Sequence, residues 1–193
     1  MVIGVLAFQG DFAEHVQILT RLHVPSLEVR AKDDLSKIDG LIIPGGESTV
    51  IARFLASSGV GKEIQRRLRD KRHPLAVYGT CAGAIVLARK ATGKNAPRTL
   101  GLIDIVVDRN AYGTQIESFE TVINVRDIKE PLSVAFIRAP KITHTGRCVQ
   151  VLAHDQGLPV LVRQGRVLVG TFHPEVRAET AIHRYFIDSI LAQ

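Results

Sequence analysis

Three short segments carry residue types suited to acyl-transfer chemistry. Gly79-Thr80-Cys81-Ala82-Gly83 follows the apolar run Leu75–Tyr78 and opens a helical pattern. G-x-C-x-G in that setting matches a nucleophile elbow, a sharp strand-to-helix turn whose strained backbone tolerates only small neighbours. Such a turn puts the Cys81 sulfur at a helix N-terminus, where the helix dipole favours thiolate. It also aims the N–H of Ala82 at a developing oxyanion. A Gly-flanked cysteine in an ordinary βα turn is the plainer reading of the same five residues.

A thiol nucleophile needs a base, and the base needs a group to orient it. Thr171-Phe172-His173-Pro174-Glu175 supplies both types. Pro174 biases His173 toward extended backbone, and in extended chain residues two apart face the same side. His173 and Glu175 can then share one site, the carboxylate taking the proton of one ring nitrogen and leaving the other for Cys81, as in a catalytic triad. A solvated H-x-E at a strand end is the alternative. The remaining histidines, 15, 23, 73, 144, 154 and 183, each read as surface or structurally satisfied residues. Pro44-Gly45-Gly46-Glu47-Ser48, after Leu41–Ile43, is the third segment. Its glycines bare backbone N–H groups that suit a second oxyanion donor, and Glu47 offers a carboxylate for an ammonium group. A Gly-Gly turn with Ser48 as N-cap of the next helix would account for it equally.

The elements that must position these segments alternate in the first half. Val2–Phe8 is continuously apolar, as in a strand buried on both faces. Asp11 can cap a helix in which Phe12, Val16, Leu19 and Leu22 share a face. Leu27–Arg30, Gly40–Ile43 and Leu75–Tyr78 read as strands, with helices over about 49–57, 62–70 and 82–90. The second half is strand-rich: 103–107, 119–125, 133–137, 149–154, 159–163 and 167–171, closed by a helix over about 179–191. This pattern predicts an α/β, three-layer sandwich with a mostly parallel central sheet, helices on both faces, and antiparallel additions in the second half.

Length and composition agree with one domain over residues 1–193. Apolar residues make up 46% and charged residues 23%, which argues against disorder, collagen and coiled coil. The opening MVIGVLAFQGDF shows no basic leader or small-residue cleavage site, and no apolar run suits a membrane span, so a cytoplasmic location is expected. Lys+Arg exceed Asp+Glu, 25 against 19, for a net charge of +6. The one dense basic stretch, Lys62–Arg72, reads as a solvated helix face without aromatic residues for base stacking, so no nucleic-acid partner is expected. Cys81 and Cys148 form no C-x-x-C, so no metal is expected. Cys148, in an apolar run, reads as a buried small hydrophobe.

Taken together, PGGES, GTCAG and TFHPE in this order resemble the class I, triad-type glutamine amidotransferases. More narrowly the chain is similar to the family of glutaminase subunits of pyridoxal 5′-phosphate synthases. The narrowing residues are Gly4–Phe12 with Glu14-His15, Arg109-Asn110-Ala111-Tyr112-Gly113-x-Gln115, Ser118-Phe119-Glu120 and Phe136-Ile137-Arg138-Ala139-Pro140. The resemblance implies Cys81 as nucleophile, His173 as general base and acid, and Glu175 as its orienting group. It implies glutamine binding by Gly46, Glu47, Ser48, Arg109, Ile137 and Arg138, and an oxyanion hole from Gly46 and Ala82. It also implies ammonia transfer to a (β/α)₈-barrel synthase subunit, with no cofactor in this chain. Thr114 stands where the family commonly has Arg. The alternatives are a glutaminase serving another amidotransferase, or a non-catalytic binding protein of the same fold.

Overall fold

The computed structural model describes residues 1–109 and 118–191. The opening apolar run forms β1 (Ile3–Leu6), buried at every position. It leads through α1 (Phe12–Arg21), β2 (Ser26–Val29) and β3 (Gly40–Ile43) to α2 (Ser48–Ser57), α3 (Val60–Leu68), β4 (Ala76–Thr80) and α4 (Ala82–Leu87). The strand-rich half follows as β5 (Ala88–Thr92), β6 (Ile103–Asp108), β7 (Ser118–Ile123), β8 (Leu132–Ile137), β9 (Lys141–Thr145), β10 (Gln150–Asp155), β11 (Leu158–Gln164) and β12 (Val167–Gly170). The described chain closes with α5 (Ala181–Tyr185), which runs into a π-helical stretch, Phe186–Leu191.

Seven strands form the central sheet in the order β10-β11-β12-β4-β3-β1-β2. From β12 to β2 every pairing is parallel, and β10–β11 is the antiparallel addition at one edge. Strand side chains alternate between the two faces. Leu41, Ile43, Val77 and Val169 pack with Ile51, Leu55, Ile64 and Val86 of α2, α3 and α4. Ile42, Tyr78 and Leu168 pack on the other face with Leu19 of α1 and Ile182, Phe186 and Ile190 of the C-terminal helix. The expected three-layer α/β class is therefore the observed one. The β7–β8 ribbon packs Ile123, Val134 and Phe136 into the second layer, which brings the end of β8 to the tip of β4. No helix among the described residues is long and apolar enough to cross a membrane.

Several local expectations change. The helix after Cys81 stops at Leu87 rather than continuing to Lys90. Ala88 turns to φ −55°, ψ 155°, and the next residues pair with β6 as β5. Strand β9 falls outside the strands expected from sequence, and it gains its hydrogen-bonded partner through β6. Asp11 makes no side-chain cap on α1, and its Oδ2 lies 3.5 Å from His173 Nδ1 instead. Cys148 is exposed in the turn before β10, not buried. The basic face of α3 is not wholly solvated either. Arg67 is buried and donates to the carbonyls of Leu35, Ile38 and His73, tying the Lys32–Lys37 turn to the end of β4's approach.

Candidate active site

Cys81 sits between β4 and α4 with φ 47° and ψ −100°. That left-handed backbone is strained for a non-glycine residue and is held in place by its surroundings. The Cys81 N–H donates to Gly170 O of β12 at 2.9 Å, fastening the turn to the neighbouring strand. Gly83 must be glycine, because a Cβ there would lie 2.1 Å from the Ile43 carbonyl oxygen. Ala82, the first helical residue, is buried beside the thiol. The Cys81 Sγ lies 3.9 Å from Ile137 O. The end of β8 therefore forms one wall of the site, and the following Arg138 also takes a left-handed φ of 47°.

His173 follows β12, and its backbone N–H donates to Ala135 O of β8 at 2.8 Å. Its Nδ1 lies 2.7 Å from Glu175 Oε1, in buried surroundings. The other ring nitrogen is left for Cys81, whose sulfur is near enough to act on the imidazole's protonation. Burial opposes a charge on the His173 ring, but the Cys81 thiol and the Glu175 carboxylate outweigh it and raise the imidazole to about 10. Burial pushes the Glu175 carboxyl above its ordinary range, opposed by the His173 hydrogen bond. Asp11, His173 and Glu175 present ligand atoms within 4.8 Å of one another. His173 Nδ1 and Glu175 Oε1 are already joined to each other, so these donor atoms serve the pair rather than an ion.

The third segment arrives from β3. Gly46 takes φ 137°, and the next residue's N–H donates to Gln9 Oε1 at 2.9 Å. Gln9 thus anchors this loop, a role not read from the sequence. Glu47 rather than Ser48 caps α2, accepting from the Thr49 N–H at 3.2 Å and from Thr49 Oγ1 at 2.8 Å. Ser48 is buried, and its Oγ closes no hydrogen bond among the described residues. Arg109 Nη2 meets Glu47 Oε1 at 3.0 Å, while Nη1 donates to Asn95 O. Burial raises Glu47, but the Thr49 hydrogen bonds and Arg109 hold its carboxyl below the ordinary value. Thr114, with all of residues 110–117, lies outside the described residues.

The sequence profile of the SNO glutamine amidotransferase family matches residues 5–192. The chain belongs to the SNO glutamine amidotransferase family. It is 45% identical over 191 residues to the pyridoxal 5′-phosphate synthase subunit PdxT of Thermotoga neapolitana, covering 98% of this chain and 100% of that protein. The PdxT subunit of Thermus thermophilus is 46% identical over 187 residues, covering 97% of this chain and 96% of the relative. A crystal structure described as a glutamine amidotransferase superposes with a TM-score of 0.92 at 44% identity, each chain covered in full. As a member of this family the chain is a glutaminase.

Sequence reading missed two further residues of the site. His15 of α1 and His183 of α5 are both fully buried, and their rings meet through Nδ1 and Nε2 at 2.8 Å. His15 Nε2 lies 3.6 Å from Glu175 Oε2 and 3.3 Å from Thr80 Oγ1. His15 belongs to the segment that carries the family resemblance, but no local pattern places either histidine beside Glu175. They are 168 positions apart, and only the packing of two helices on one sheet face joins them.

Proposed function

We propose that this chain is the glutaminase subunit of a pyridoxal 5′-phosphate synthase, acting in the cytoplasm. The observation that carries the chemistry is the strained Cys81 at the tip of β4, beside a His173 that Glu175 orients at 2.7 Å. The named relatives, 45% and 46% identical over nearly their whole length, support the pathway.

In this reading the Cys81 thiolate attacks the side-chain amide carbon of L-glutamine. The N–H groups of Gly46 and Ala82 receive the oxyanion. His173, protonated through its ring nitrogen facing Cys81, gives that proton to the departing ammonia as the thioester forms. It then takes a proton from water, whose oxygen attacks the thioester carbon and releases glutamate and the thiolate. Glu47 and Arg109, already paired, offer opposite charges to the ammonium and carboxylate groups of the amino acid. Ser48 and the backbone at Ile137 and Arg138 complete its pocket. Ammonia passes to a (β/α)₈-barrel synthase subunit.

The test is glutamate release from L-glutamine by the purified chain, alone and with the synthase subunit. Release that rises on adding the subunit is expected. Release indifferent to that subunit would overturn the pathway while keeping the glutaminase.

A further inference from the structure

The Glu175 carboxylate uses only one of its oxygens on His173. Oε2 is buried and closes no hydrogen bond among the described residues. A buried carboxylate oxygen without a donor is costly, because its hydration is lost and nothing replaces it. The groups around it come from three elements. His15 Nε2 of α1 lies 3.6 Å away. Tyr78 of β4 stands close enough that the carboxylate, after burial, helps hold its phenol protonated. His183 of α5 backs His15 at 2.8 Å and meets the Tyr78 ring edge-on.

Proton bookkeeping leaves two directions for this chain, and the Glu175 charge selects between them. Burial, together with the neighbouring His183 and His173, keeps the His15 ring uncharged, and burial lowers His183 to about 3. A neutral imidazole has one N–H and one lone pair. Glu175 accepts from His173, so it works as a carboxylate. A bare lone pair on His15 Nε2 facing that carboxylate at 3.6 Å would repel it. The carboxylate's charge favours Nε2 as the site of the His15 proton, with Nδ1 accepting from His183 Nε2–H. The opposite order, with His183 Nδ1–H donating to Glu179 O and the Thr80 hydroxyl donating to His15 Nε2 at 3.3 Å, is the one the tautomer measurement below tests against. Hydrogen bonds of catalytic groups are often long without substrate and tighten when it binds.

Resting on the triad reading above, we propose that His15, backed by His183, is a positioning residue. It donates Nε2–H to Glu175 Oε2, the oxygen His173 does not use, and so fixes the carboxylate that orients the catalytic imidazole. The active site is thus a five-residue buried line, His183–His15–Glu175–His173–Cys81, of which only the last three do chemistry.

Two measurements test this on the chain assayed with the synthase subunit. In protein labelled with isotopic nitrogen at histidine, long-range nitrogen–proton spectra should show His15 as the Nε2–H tautomer. A His15 in the Nδ1–H form would overturn the proposal without any variant having to fold. His15→Leu should lower kcat about tenfold or more while KM stays within about twofold. It should also draw the alkaline limb of kcat/KM toward that of Glu175→Gln. His15→Gln, which keeps an N–H donor, should recover much of both. His15→Leu with a lower melting temperature but unmoved kcat and alkaline limb would mean packing alone, and would overturn the proposal. If Glu175→Gln itself leaves the limb in place, the triad reading fails independently of His15.

Discussion

Glu175 Oε1 and His173 Nδ1, two residues apart, meet at 2.7 Å out of contact with solvent. Glu175 heads a short 3-10 turn, and Pro174 takes φ −67° and ψ −28° between the two side chains. The pair is therefore set by its own backbone, and β8 pins that backbone through the His173 N–H.

This pairing makes the reaction's pH dependence specific. In the proposed reaction His173 must carry a proton to release ammonia, and its imidazole is raised to about 10. Activity should persist into alkaline solution and fall as pH rises through that value. Glu175→Gln removes one of the charges that raise His173, so the alkaline limb should move down, with kcat reduced on the order of 10³–10⁴-fold. A kcat/KM profile of both proteins checks this.

Glu47 and Arg109 should act on binding rather than on chemistry. Losing one charge-assisted hydrogen bond costs about 1.5–3 kcal/mol. Arg109→Ala and Glu47→Gln should each raise KM for glutamine by roughly ten- to hundredfold with little change in kcat. Steady-state kinetics over a wide glutamine range reads this directly.

Gly45 lies against the His173 ring. A Cβ there would sit 2.4 Å from His173 Cε1 and 2.9 Å from Asp11 Oδ2. Gly45→Ala should displace the imidazole and cut kcat at least about tenfold, because small misplacements of catalytic groups are costly. Melting temperature measured alongside should change little, since the clash falls on side chains at a loop.

Arg67 and Arg66 are neighbours with opposite fates. Removing the Arg67 guanidinium strands the buried carbonyls of Leu35 and Ile38, at roughly 1–3 kcal/mol for each left unpaired, and frees the part-buried one of His73. Arg66 pairs with Glu63 on the surface, and its loss should be undetectable. Denaturant unfolding of Arg67→Leu and Arg66→Ala separates them, and neither should change KM.

Much of this arrangement is legible in the sequence, and the exceptions have physical causes. Buried parallel strands announce themselves as apolar runs, which is why β1, β3 and β4 fall close to their expected places. The elbow and the His-x-Glu pair are local, so short motifs suffice. Ala88–Thr92 misleads because ARKAT suits a helix, and only pairing with β6 makes it a strand. Ser48 is a better N-cap type than Glu47, yet Arg109 and Thr49 together hold the Glu47 side chain at the cap. Buried Arg67 looks like its exposed neighbours because its acceptors are backbone carbonyls, which sequence does not distinguish. His15, His183 and Gln9 escape for a related reason: their partners lie far along the chain.

The most direct test of the central claim sets site chemistry against simple access. Cys81 is only 7% exposed, whereas Cys148 is exposed on a turn. A glutamine analogue bearing a chloroketone in place of the side-chain amide, followed by peptide mass mapping, reports which sulfur is the nucleophile. Glutamine-protected modification of Cys81 is expected, with Cys148→Ala unchanged in activity and Cys81→Ala inactive. Modification confined to Cys148, with Cys81→Ala still active, would contradict the account.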